Sequence, residues 1–307
     1  MSILDGDYME PEKFKEILRG YSVTTVTPFT QDLSIIDIDG LTVNIKFLID
    51  NDVPLLIPNG NTGEFYSLSE HEWAEVLKIT VDAAGNKTTI MSGVGHSIKT
   101  ATTQIEMARS LGVPAVMIMY PQHVFVSEEG ALDYYRSILE KADGMNIVLY
   151  KKGPYLSDFV LKKLMHFKSL VGVKYAFGRI VDFAKTVQDL GATIVWSCGT
   201  AERFAPFFWL AGATAFTSGL GNFAPKITAR MYHALAQGDF ASAMEIQRMV
   251  TPLEYMREGR EKANNVPVIK YVLDQVGLVG GNCRPPIHQL SESEQEAIIR
   301  SIQDWEL

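Results

Sequence analysis

The chain has 307 residues, of which 47% are apolar and 21% charged, a globular composition with ample material for a core and no place for a long disordered tail. At roughly 150 residues per domain this length allows two domains, or one α/β barrel of about 250 residues with an appendage. The 28 basic and 36 acidic residues give a net charge of −8 with no basic block, so nucleic acid and anionic membrane are poor partners. Cys198 and Cys283 sit in no CxxC pair, which leaves no disulfide framework and no thiolate zinc site, and fits a reducing cytoplasm. The acidic N-terminal stretch MSILDGDYMEPEKFKE has no apolar signal region, and no run of 18 apolar residues occurs, so a soluble, unprocessed, intracellular protein is expected.

Along the chain, PEKFKEILRG reads as a short helix within an N-terminal segment covering residues 1–20. Short β-branched runs then alternate with longer amphipathic stretches. Candidate strands cover residues 21–29, 53–59, 88–95, 115–120, 146–152, 170–176, 193–199 and 213–218, with starts about every 27 residues, the length of one βα unit. Segments such as SLSEHEWAEVLKITVDAAGN and SIKTATTQIEMARSLG carry apolar residues at helical spacing and begin on Ser or end at Gly. Eight strands, each followed by a helix, predict a (β/α)8 TIM barrel over residues 21–238. Beyond it, FASAMEIQRMVTPLEYMREG, VPVIKYVLDQVGL and SESEQEAIIRSIQDWEL show only helical periodicity, the last opening on a Ser291/Glu294 capping box. Residues 239–307 are therefore expected to form a helical extension packed on the barrel.

A TIM barrel carries its chemistry at the C-terminal ends of the strands, which directs attention to the polar residues there. Lys174 lies inside the apolar strand GVKYA, where a charged amine is costly unless paired or neutral. Alternation puts Gly172 and Ala176 on its face, two small residues that would leave space around it. A lysine snorkelling out from an exposed position is the bland alternative, and so apolar a strand argues against it. Desolvation lowers an amine's pKa below about 10.4, leaving part of it free to attack a carbonyl as a Schiff-base nucleophile.

Tyr150 ends the neighbouring strand and can move protons to and from a carbinolamine, although a tyrosine at a strand end is often mere packing. Lys152 shares its face by period two, as an anion-binding residue, a neighbour that depresses the pKa of Lys174, or a competing nucleophile. In GNTGE, Gly60 lets backbone N–H groups turn toward an anion while Asn61 and Thr62 add side-chain donors, a carboxylate-sized site in a segment that could equally be a plain turn. Gly199 and Ser218 stand at the ends of strands seven and eight and complete the candidate substrate-binding set.

Two other motifs fail. GLGNFA matches a dinucleotide fingerprint, but no acidic strand end follows about 20 residues later, so no nicotinamide cofactor is expected. HEWAE has Glu75 where a zinc helix needs its second histidine, and the six histidines do not cluster, so no metal is expected either.

Taken in order, TPF at 27–29, GNTGE at 60–64, LY at 149–150, GVK at 172–174 and RPP at 284–286 resemble the dihydrodipicolinate synthase and N-acetylneuraminate lyase superfamily of class I aldolases. The resemblance covers essentially the whole chain. It implies an imine between Lys174 and a 2-keto acid, Tyr150 as the proton-transfer phenol, and Asn61 and Thr62 on the substrate carboxylate. A homo-oligomer, tetramer or dimer, without cofactor is implied as well.

Against dihydrodipicolinate synthases proper, the chain has Asn61 for a second threonine and places His123 or a neighbour where they carry a tyrosine after strand four. It also reads YKKGPYLS where they carry an arginine for the second substrate's carboxylate. NNVPVIKYVLDQVGL resembles their C-terminal segment, and a carbon–carbon or carbon–oxygen lyase of 2-keto acids of the dihydrodipicolinate synthase type is the first reading. GEFYSLS and SGLGNFAP are closer to 5-dehydro-4-deoxyglucarate dehydratases and other keto-deoxy sugar-acid aldolases or dehydratases, the alternative, in which Lys151 or Lys152 would meet a distal carboxylate as point charges. A non-catalytic 2-keto-acid-binding regulator, motivated by the altered proton relay, is the alternative of another class.

Overall fold

The computed structural model describes residues 9–142 and 144–307; the first eight residues of the expected N-terminal segment lie outside them. The strands are β1 (Tyr21–Thr24), β2 (Leu55–Ile57), β3 (Thr89–Val94), β4 (Ala115–Ile118), β5 (Asn146–Lys151), β6 (Leu170–Tyr175), β7 (Val195–Cys198) and β8 (Ala215–Ser218). All pair in parallel in chain order and β8 pairs back onto β1, which closes the barrel. The strands are shorter than their apolar runs. After Thr25, whose N–H still donates to the Ile57 carbonyl at 3.2 Å, the chain leaves the ladder: the Val26 N–H donates to Asn222 Oδ1 at 3.2 Å instead of to a neighbouring strand, and Pro28 has no N–H to give.

Helix α1 (Pro11–Leu18) precedes the barrel, and α2 (Ile38–Asp50), α3 (Glu70–Ala84), α4 (Ile98–Ser110), α5 (Glu128–Lys141), α6 (Asp158–Leu164), α7 (Ile180–Leu190), α8 (Ala205–Leu210) and α9 (Pro225–Ala236) follow the strands in turn. Helices α3 to α6 each start on a serine, Ser69, Ser97, Ser127 and Ser157, whose hydroxyl accepts from a first-turn N–H. Each such cap contributes about 1 kcal/mol.

Helix α1 stoppers the N-terminal end of the barrel with Phe14 and Leu18, both buried. This contact corrects the expectation for Gly172. A Cβ there would lie 2.7 Å from Leu18 Cδ2 and 2.9 Å from the Val195 carbonyl oxygen, so the glycine admits α1 and does not clear space for Lys174.

The extension consists of α10 (Phe240–Arg257), α11 (Asn265–Gln275) and α12 (Glu292–Ile302), the last with the expected capping box at Ser291 and Glu294. Val250 and Leu253 of α10 and Ile269 and Leu273 of α11 belong to the same buried cluster as the barrel. The extension is thereby carried to the C-terminal mouth, where the polar strand ends converge.

Candidate active site

Strand pairing sets the centre of the site. Tyr150 on β5 stands opposite Lys174 on β6, and Lys174 stands opposite Ser197 on β7. The Lys174 Nζ lies 4.6 Å from the centre of the Tyr150 ring and donates to Thr24 Oγ1 at 3.4 Å. Lys174 is only 6% exposed, and among the described residues no carboxylate is paired with it. Burial first, and then the nearby charges of Lys152 and Arg257, bring its pKa down to about 7. At neutral pH a substantial fraction is therefore a free amine able to attack a carbonyl. The room for its stem comes from Gly199, where a Cβ would stand 3.0 Å from Lys174 Cγ.

Tyr150 is buried, and burial pushes its phenol well above the usual range, so it is a proton donor at neutral pH. Its hydroxyl accepts from Asn61 Nδ2 at 3.1 Å. Asn61 Oδ1 and Thr25 Oγ1 are buried without a partner among the described residues. Thr62 lines the same cavity, of about 550 Å³, together with Lys152, Gly199 and Ser218.

Gly60 does not line it. A Cβ there would press on Thr24 Cγ2 at 2.5 Å, and one at Gly63 would lie 2.9 Å from the Thr25 carbonyl oxygen, so both glycines serve close packing of the loop on the β1 end. His123 is a second correction. It is exposed, its Nδ1 accepts from the Phe125 N–H at 3.1 Å, and it lines a separate hollow with His96, Phe125 and Tyr134. Lys151 is turned away as well, since alternation at the end of β5 points it outward. Its ammonium donates to the Leu156 carbonyl and lies 5.2 Å from the centre of the Tyr175 ring.

The motif segments TPF, GNTGE and RPP meet behind the site. Thr27 Oγ1 donates to the Gly63 carbonyl at 2.9 Å, and the Arg284 N–H donates to Glu64 Oε2 at 2.9 Å. Glu64 also pairs with Lys270 of α11 at 2.6 Å, and the Arg284 guanidinium lies 4.1 Å from the centre of the Phe29 ring while bridging to Glu72. These residues clamp the loop that presents Asn61 and Thr62.

Several cavity residues escape a reading of the sequence. Arg257 and Glu254 come from α10, Glu258 and Lys262 from the turn after it, and Arg203 from the loop after β7. Glu202 sits behind Ser218, whose hydroxyl donates to it, as does that of Thr228 at 2.7 Å; burial and then Glu254 raise its pKa. Only Glu202 and Arg203 had a signal, because they follow the strand-seven end directly; nothing local places Arg257 or Lys262 at the mouth. Among the described residues no group of three or more His, Cys, Asp or Glu is placed to hold a metal ion.

A closed barrel with a desolvated, unpaired lysine beside a buried phenol at its C-terminal mouth defines the imine-forming class of barrel lyases. The Dihydrodipicolinate synthetase family model matches residues 17–304, and the chain belongs to that family. A dihydrodipicolinate synthase crystal structure from Bacillus clausii shares 35% identity and a TM-score of 0.92, over 96% of this chain and all (100%) of that one. A probable 5-dehydro-4-deoxyglucarate dehydratase of Bacillus subtilis (strain 168) is 29% identical over 87% of this chain and 88% of its own length. A 4-hydroxy-tetrahydrodipicolinate synthase of Methanopyrus kandleri is 28% identical over 93% of this chain and 95% of its own.

Proposed function

We propose that the protein is a Schiff-base lyase that dehydrates a keto-deoxy sugar acid of the 5-dehydro-4-deoxyglucarate type. The amine of Lys174 attacks the keto carbon, and Tyr150 gives a proton to the departing oxygen as the carbinolamine loses water. The resulting iminium makes the adjacent C–H acidic. The Tyr150 phenolate takes that proton and gives it to the hydroxyl on the next carbon as the enamine expels it as water, and hydrolysis of the imine then frees the product and Lys174. Asn61 and Thr62 hold the carboxylate beside the keto group, while Gly199 and Ser218 line the opposite side.

The observation that carries this reading is the buried Lys174, without a carboxylate partner and with a pKa of about 7, facing Tyr150. The β5–α6 loop of Lys152, Gly153, Pro154 and Tyr155 has no arginine, which favours dehydration over condensation with an amino-acid-derived aldehyde. The name carried by the Bacillus subtilis relative agrees with this choice, while the Methanopyrus relative and the Bacillus clausii structure carry synthase names. The protein acts as a cytoplasmic homo-oligomer in this reading, with no nucleic acid or membrane partner; among the described residues no helix is long and apolar enough to cross a membrane.

Borohydride reduction with pyruvate, followed by peptide mass mapping, tests the imine. An adduct on Lys174 is expected; an adduct on Lys152, or none with any 2-keto acid, overturns the assignment and in the second case favours a non-covalent binding protein. A panel of keto-deoxy sugar acids, N-acetylneuraminate, and pyruvate with aspartate semialdehyde then selects the reaction. Turnover is expected with the first.

A further inference from the structure

Five cationic side chains line the cavity, Lys152, Lys174, Arg203, Arg257 and Lys262. Of the carboxylates that line it, Glu64, Glu254 and Glu258 are committed to ion pairs, while Glu261 is in none among the described residues. Arg203 is paired with Glu258 at 2.7 Å, Arg257 with Glu254 at 2.6 Å, and Glu64 with Lys270 at 2.6 Å. Among the described residues no carboxylate lies within ion-pair distance of Lys152 or Lys262. Lys262 and Arg257 both act on Lys152 as like charges, opposed in part by Glu258, and Lys152 and Arg257 act on Lys174 in the same way. Such convergence is unfavourable until an anion sits among the charges.

The architecture around Arg257 holds this charge in place. Its Nη1 donates to Glu254, its Nη2 to Asn265 Oδ1 at 3.1 Å and its Nε to the Asn265 carbonyl at 3.4 Å. A guanidinium has five N–H groups, so each Nη keeps one to offer, in the planar fork that suits a carboxylate. A Cβ on Gly219 would lie 2.6 Å from Nη2 and 2.7 Å from Ile269 Cδ1, so a larger residue after β8 would push the guanidinium from its place over the barrel mouth. Beyond α10, Arg260, Glu261 and Lys262 run through three consecutive left-handed conformations, φ +52°, +56° and +76°, which L residues rarely adopt. This turn is fastened to α12: Arg260 donates to the Gln289 carbonyl at 3.1 Å and to Glu294, and Asn264 donates to Glu294 at 2.8 Å. Strain held at a cavity rim by outside contacts is expected where a side chain must be presented.

We propose that Arg257, assisted by Lys152 and Lys262, recognises the second carboxylate of a dicarboxylic keto acid, so that the C-terminal extension selects diacids over monoacids. The proposal rests on the imine reading above and names the group that accepts the end of the substrate far from Lys174. It assigns to α10 a task that the β5–α6 loop has no arginine to perform.

The test is the ratio of kcat/KM for a keto-deoxy sugar diacid to that for its analogue with the distal carboxylate replaced by a primary alcohol. In Arg257→Gln this ratio is expected to fall about tenfold, chiefly through KM for the diacid, and in Lys262→Gln about threefold. A ratio equal to that of the wild type, or equal losses on both substrates, overturns the proposal. Because Arg257→Gln leaves Glu254 buried without its partner, Glu254→Gln/Arg257→Gln is measured beside it, and an unchanged ratio in that folded double variant is equally fatal. Pyruvate trapping in the wild type separates the two claims: trapping with an unchanged ratio overturns the diacid site alone, and no trapping overturns the imine reading and this proposal together.

Discussion

Two buried lysines stand on either side of the GNTGE loop and do opposite things. Lys270, 1% exposed, pairs with Glu64 at 2.6 Å, donates to the Asn282 carbonyl at 3.0 Å and lies 4.6 Å from the centre of the Phe29 ring. Lys174, 6% exposed, has one long hydrogen bond to a threonine hydroxyl and like charges nearby. Burial alone therefore does not make a lysine reactive. What decides is whether the surroundings neutralise its charge or leave the amine to shed its proton.

The largest expected effect comes from removing the unpaired amine. Lys174→Ala should stay folded and lose activity by on the order of 10³-fold or more, with no borohydride adduct, measured by kcat and intact mass. Comparable residual turnover would place the nucleophile elsewhere. The paired lysine should behave in the reverse sense: Lys270→Met leaves the Glu64 charge buried and should cost about 3–5 kcal/mol in urea unfolding. Glu64→Gln/Lys270→Met should recover much of that loss, and a single variant as stable as the wild type would break the contrast.

Tyr150→Phe removes the proton donor and keeps the ring beside Lys174, so turnover should fall about 10²-fold while the adduct still forms at Lys174. Retention of full turnover would rule the phenol out as the relay. The last expected effect is a pH dependence of stability. Lys174 has a folded pKa of about 7 against about 10.4 for an unfolded chain. Below pH 7 both states are protonated and the full cost of burying the charge is present; between pH 7 and about 10 the unfolded state binds more protons, so the folded state gains as pH rises. The stability of the wild type relative to Lys174→Met should therefore improve across that window in paired urea titrations. The claim is falsified if the difference is flat. Adduct formation should also rise with pH through about 7.

The barrel and the buried lysine and tyrosine at its mouth were legible because both rest on local pattern. Short apolar runs at the spacing of one βα unit define the strands, and a lysine in so apolar a run is anomalous by itself. Alternation already set Lys152 on the face of Tyr150, and the structure turns Lys151 outward while its neighbour faces the cavity. His123 was placed by analogy with a family position, and the loop after β4 carries it to another hollow. Gly172 and Gly60 were read as makers of space or of anion-binding turns, whereas their nearest neighbours, Leu18 and Thr24, come from elements distant in the chain.

By itself the sequence determined the eightfold alternation, the helical extension, the anomaly of a lysine at position 174 inside an apolar strand, and the motifs that mark the family. Periodicity and capping are read within a few residues, and a buried charge betrays itself by its immediate neighbours. Only the tertiary structure decided what surrounds that amine: Arg257 and Lys262 arriving from the extension, Glu64 withdrawn into a pair with Lys270, and α1 rather than empty space against Gly172. Those partners are brought together by packing between remote segments, and the electrostatics of a buried group are set by whatever packing delivers.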